Sequence, residues 1–213
     1  GDGVASAPAQ LDIDTVREKL WPVLTDPRVV KVGHHLKYDF HILANEGWDT
    51  TAIRPFDDTL LLSYALHGTL HGHGLDELAR KYLGHENITF ESLFPAKMRD
   101  ADRRFDTLDI AAATPYAAED ATVCVALYNL MRPQLDADGK LRHLYETCDL
   151  PLMPVLLEME RDGVLVNQTG LHQLSGVFHT QLTSLEQEIW TLAGHEFNIA
   201  SPKQLGVVLF DEL

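Results

Sequence analysis

The stretch RVVKVG (residues 28–33) is a short β-branched run that ends on a glycine and passes almost directly into HLKYDFHILANEG (residues 35–47). The first reads as a buried strand and the second as a helix with apolar residues at helical spacing, closed by Gly47. A strand feeding a helix is the half-unit of an α/β fold, and such folds gather functional groups where strand ends meet helix starts. Asp39, in the first turns of that helix, is therefore a candidate site residue.

The rest of the chain is mostly helical in pattern. LDIDTVREKLWPVL carries Val16, Leu20 and Leu24 on one side, with Asp12 or Asp14 as its N-cap. DTLLLSYALH, GLDELARKYLG and DIAAATPYAAEDATVCVALYNLM are three more helices, separated by HGTLHGHG and the polar ITFESLFPAKMRDADRRFD. Pro115 either opens a new helix capped by Thr114 or kinks one that began near Asp109. PQLDADGK (residues 133–140) combines proline, glycine and charge without apolar periodicity, which predicts a domain boundary. Beyond it come LPLMPVLLEMERDGVLVN, read as helix, Asp-Gly turn and short strand, then a long helix, then a last helix with Ser201 as cap and Pro202 at its first position.

Within TPYAAEDATVCVAL, Tyr116 and Asp120 are four residues apart and so share a helix face. Placed at the N-terminal end of an apolar-backed helix, Asp120 and Glu119 have an ordinary explanation as first-turn acids favoured by the helix dipole. The alternative is a phenol and a carboxylate presented together for chemistry.

Composition narrows that chemistry. With 32 acidic against 17 basic residues the formal net charge is −15, which argues against gripping nucleic acid by neutralising many phosphates. It leaves open a site that meets phosphate through bound cations, because carboxylates are what hold Mg²⁺ or Mn²⁺. No run approaches a membrane span and the start lacks a signal peptide, so the expectation is a cytoplasmic protein with no membrane partner. Cys124 and Cys148 read as reduced thiols, and His67, His71 and His73 as loop histidines rather than zinc ligands.

VGHHLKYDFHIL and YAAEDA, in that order, resemble the second and third exonuclease motifs of family A DNA polymerases. TLLLSYAL, GLDELARKYLG, ITFE, PLMPVLLEMERDGVLVN and FNIASPKQLGVVLF resemble further segments of the same family, so the likeness runs from about Leu11 to the end. It implies a helix-rich α/β fold: an incomplete ribonuclease H-like domain of the DEDD exonuclease type over residues 1–138, then the helical start of the polymerase thumb over 139–213.

The resemblance also implies 3'-5' proofreading with two Mg²⁺ or Mn²⁺ ions, Asp120 and Asp39 as metal ligands, and Tyr116 orienting the attacking water. His35, Lys37, Phe90, Ser201 and Lys203 become candidate DNA contacts, and the implied partners are a single-stranded 3' end, duplex product at the thumb and the remainder of a polymerase chain in the bacterial nucleoid. The family's first motif, Asp-x-Glu on a strand, does not occur in these 213 residues. The expectation is accordingly an internal fragment that is itself inactive. His35 stands where the family usually has asparagine, His34 where glutamine is common, and Gly72 where a basic residue occurs. The other readings are a non-catalytic exonuclease-fold domain and a ribonuclease D-like RNA exonuclease.

Overall fold

A computed structural model describes residues 11–212. The chain divides into two compact units, Gly1–Asp162 and Gly163–Leu213. The first opens with helix α1 (Ile13–Leu24), where Asp12 is the N-cap and accepts from the Thr15 amide at 3.0 Å. Strand β1 (Lys31–Gly33) leads into α2 (Leu36–Asn45), and β2 (Phe56–Asp58) leads into α3 (Thr59–His67). The strands are parallel, with Lys31 opposite Phe56 and Gly33 opposite Asp58. Two strand–helix units side by side put both strand ends, and both helix starts, on one edge.

The sequence reading missed β2, because Phe56-Asp57-Asp58 looks like a helix cap rather than a strand. Asp57 and Asp58 are only 3% and 2% exposed. Burying two carboxylates is tolerable here because each is fully engaged by hydrogen-bond donors. Arg132 donates to Asp57 Oδ2 at 3.0 Å and the buried Tyr145 hydroxyl donates to its Oδ1, while the Asp58 carboxylate takes backbone amides.

Helix α4 (Leu75–Leu78) continues into a π-turn at Ala79–Leu83, and short 3₁₀ turns cross the polar stretch that follows. Helix α5 then runs unbroken from Ile110 to Ala137, with Asp109 as its N-cap. Pro115 therefore lies inside this helix and starts no new one. The missing amide bond is offset by packing, since Val123, Leu127, Met131 and Leu135 of α5 are buried with Leu62, Leu78, Ala79 and Tyr145 in one core cluster.

The segment expected as a boundary does not divide the packing. Helix α5 continues through Pro133, and Asp138 caps α6 (Gly139–Leu144). Helix α7 (Leu150–Asp162) contributes Met153 and Leu157 to a second core cluster with Leu36, Phe40, Ile53 and Phe56. Residues 139–162 thus fold with what precedes them, and the compact units part at Gly163, whose positive φ of 69° needs a glycine.

In the second unit, α8 (Gln168–Ala193) ends at Gly194 and α9 (Pro202–Val207) starts with Ser201 as cap. The short strand expected over residues 164–166 does not form. Val164 and Leu165 are fully open to solvent, and among the described residues no strand pairs with them. A strand without a partner has no ladder to stabilise it.

Candidate active site

Asp58 organises the edge where the strands end. Its Oδ1 accepts from the Leu60 amide at 2.9 Å and the His35 amide at 3.0 Å, and its Oδ2 from the Leu36 amide at 2.8 Å. One buried carboxylate thereby caps both α2 and α3. The sequence reading overlooked it, although an aspartate directly before TLLLSYAL is an N-cap signal.

The chain enters α2 through His35, which is left-handed at φ 61° and ψ 45° and whose ring stacks on Tyr38. Asparagine and histidine tolerate this conformation better than most residues, which gives a physical reason why the two can exchange at this position. His34 lies deeper. Thr59 donates to the Gly33 carbonyl at 3.1 Å, so its oxygen accepts from His34 Nδ1 at 2.9 Å, fixing the proton on that nitrogen. Desolvation lowers the His34 pKa, so the ring stays neutral at pH 7.

Asp39 follows one turn into α2. Its carboxyl is open to solvent on one side, yet surrounding protein raises its pKa, with the Asp58 carboxylate adding to the rise. On α5, Tyr116 and Asp120 are one turn apart. Both lie well beyond the first turn of a helix that begins at Ile110, so the dipole explanation for Asp120 and Glu119 fails. Glu119 instead accepts from the Ile88 amide and from His85 Nε2 at 2.8 Å, pinning the loop beside the site. The Ile88 bond and then the His85 bond lower its pKa.

Burial raises the Asp120 pKa, and the Asp76 and Glu119 carboxylates reinforce it. Burial likewise raises that of the Tyr116 phenol, with Asp120 next in effect. Tyr116, packed at 6.0 Å from the Phe105 ring, is a phenol that remains a hydrogen-bond donor at neutral pH.

Cys124 links α5 to the strand edge through Thr59. It lies one turn beyond Asp120, is buried, and its Sγ is 3.6 Å from the Thr59 hydroxyl. Burial pushes its pKa up, and the Asp58, Asp39 and Asp120 carboxylates all push the same way.

The other sequence candidates are differently placed. Lys37 is held by Glu160 of α7. Phe90 starts a 3₁₀ turn and packs edge-on against Phe94, with ring centres 5.0 Å apart. Ser201 and Lys203 belong to the second unit, where the Ser201 hydroxyl accepts from the Gln204 amide at 3.4 Å. Among the loop histidines, His71 bonds the Tyr82 hydroxyl and the Gly72 carbonyl, and His73 bonds Ser63 and the Gly68 carbonyl, so their ring nitrogens are occupied.

Desolvation is the main cause of the raised pKa at both Asp39 and Asp120, with neighbouring carboxylates adding to it. Among the described residues no group of three or more His, Cys, Asp or Glu side chains is placed to hold an ion.

Known proteins carry the same arrangement of sequence. A family model described as 3'-5' exonuclease matches residues 3–136. DNA polymerase I of Pseudomonas aeruginosa is 42% identical over 206 residues, covering 97% of this chain and 22% of that protein. DNA polymerase I of Rhizobium leguminosarum is 42% identical over 213 residues, covering 100% of this chain and 20% of that protein. A solved structure described as the POL domain of Pol1 from M. smegmatis in complex with DNA primer-template and dNTP matches with a TM-score of 0.66 at 28% identity, over 96% of this chain and 31% of that one. The chain spans about a fifth of the length of these curated relatives. Its helix-rich α/β first unit matches part of such a domain, and with the family model covering most of the chain, this protein belongs to the 3'-5' exonuclease family of A-type DNA polymerases.

Proposed function

We propose that this chain is part of a DNA polymerase I, a template-directed polymerase of DNA replication and repair whose 3'-5' exonuclease removes mispaired 3' ends. The observation that carries the reading is the match of residues 3–136 to the 3'-5' exonuclease family, a stretch that contains Asp39, Tyr116 and Asp120. Asp39 and Asp120 are the residues that would hold Mg²⁺ or Mn²⁺, and Asp58 is the cap that orients α2. When bound, the cations lower the pKa of a water and stabilise charge on the phosphodiester oxygens.

The chain's own residues supply the rest. Tyr116, kept protonated by its surroundings, donates a hydrogen bond that orients water beside Asp120. Glu119 and the loop it pins hold the wall of the site, and His35 and Phe90 offer rings on which single-stranded bases can stack. Ser201 and Lys203 are proposed contacts to the duplex product in the thumb portion, residues 139–213 in the family's domain plan.

No helix among the described residues is long and apolar enough to cross a membrane, and the working location is the cytoplasm, on the nucleoid. These 213 residues contain no Asp-x-Glu, so the bridging carboxylate of the family's first motif is not among them, and the chain alone is expected to be inactive. Digestion of 3'-labelled single-stranded DNA in Mg²⁺ tests both points. A protein of the relatives' full length should lose digestion but keep polymerisation on Asp120→Ala. Robust digestion by the 213-residue chain, abolished by the same substitution, would overturn the expected inactivity.

A further inference from the structure

Helix α2 carries one Lys or Arg, Lys37, and it is already committed. Glu160 of α7 accepts from Lys37 Nζ through Oε1 and meets His41 Nε2 at 2.8 Å through Oε2. Lys37 and His41 are one turn apart and share one face of α2, whereas Asp39, two residues from each, projects from the other face. A second tie joins the same two helices where Arg161 Nη1 donates to Asn45 Oδ1 at 3.2 Å. The Lys37 and His41 side chains are 23% and 26% exposed, whereas Glu160 is 47% exposed and its carboxylate is reached by solvent.

We infer that Glu160 masks a phosphate contact: it occupies the Lys37 ammonium and ties α2 to α7, and when its carboxylate withdraws Lys37 becomes free to bind a backbone phosphate of single-stranded DNA. The inference rests on the proposed exonuclease reading. The energetics favour it, because a strongly acidic chain gains most in phosphate affinity by releasing a cation it already has. The hydrogen bond from Lys37, and then that from His41, lowers the Glu160 pKa, so its carboxylate is ionised at neutral pH.

The test is fluorescence anisotropy of a labelled oligothymidylate with the 213-residue chain at several salt concentrations, without divalent metal. Glu160→Gln should tighten binding several-fold and steepen the salt dependence by about 0.7 in log–log slope, the value for one added phosphate contact on a single strand. Lys37→Ala/Glu160→Gln should cancel both changes. Glu158→Gln removes one negative charge from the exposed side of the same helix and should alter affinity little. Unchanged affinity in Glu160→Gln, or a gain that survives in the double variant or appears equally in Glu158→Gln, overturns the masking role. No binding at low salt by either the unaltered chain or Glu160→Gln overturns the single-stranded DNA reading itself.

Discussion

Asp58 is the residue whose loss should cost most for its size. It is 2% exposed, and its carboxylate accepts three backbone amides at 2.8–3.0 Å from the starts of two helices. Asp58→Ala removes two helix caps, each worth ~1 kcal/mol. It also leaves buried donors unsatisfied, at ~1–3 kcal/mol each. With partial relaxation the sum is on the order of 3–5 kcal/mol, a large part of the ~5–15 kcal/mol that holds a typical domain. Asp58→Asn keeps the oxygen that serves His35 and Leu60 but turns an amide donor toward the Leu36 amide, so its cost should fall between the wild type and alanine. Urea unfolding followed by circular dichroism reads both values from the shift in midpoint at unchanged slope. A loss under about 1 kcal/mol for Asp58→Ala would refute the dual-cap reasoning.

Tyr145→Phe removes the buried hydroxyl that donates to Asp57, and should cost about 1–3 kcal/mol in the same unfolding assay, with unchanged stability contradicting the network. Leu127→Ala, at a fully buried position of the larger core cluster, should cost ~2–5 kcal/mol, and a loss below ~1 would mean that α5 is not packed as described. Asp120 has a raised pKa, so the folded chain holds its proton more tightly than the unfolded chain, and this group's contribution becomes less favourable as pH climbs above the ordinary aspartate value of 3.8. Asp120→Asn should therefore raise Tm at pH 7 and leave it nearly unchanged near about pH 3, and a lower Tm at pH 7 would contradict the electrostatic account.

What could be read from sequence was what local chemistry decides. The strand ending at Gly33, α2 with Gly47 at φ 77° after it, the Asp12 cap and the Ser201 cap all follow from a few neighbouring residues. Tyr116 and Asp120 were placed on one helix face by spacing alone. Features set by distant partners were not readable. Strand β2 is possible only because Arg132 and Tyr145, 75 and 88 positions away, satisfy Asp57. Pro115 and Pro133 look like breaks, yet core burial along α5 carries the helix through both. The charged PQLDADGK stretch looked like a linker because its cap, Asp138, also serves the next helix, and only packing of Tyr145, Met153 and Leu157 shows where the unit ends. The pairing of Lys37 with Glu160 was unreadable for the same reason, the two lying 123 positions apart.

Mn²⁺ binding to the chain, followed by the paramagnetic resonance of the free ion, tests most directly whether Asp39 and Asp120 serve one site. Asp39→Asn and Asp120→Asn should each weaken binding by roughly tenfold, about 1.4 kcal/mol, and the double substitution should cost clearly less than the sum because both remove ligands of the same cation site. Losses that add fully, or an affinity indifferent to either aspartate, would contradict a shared metal site and with it the account of this chain as an exonuclease centre.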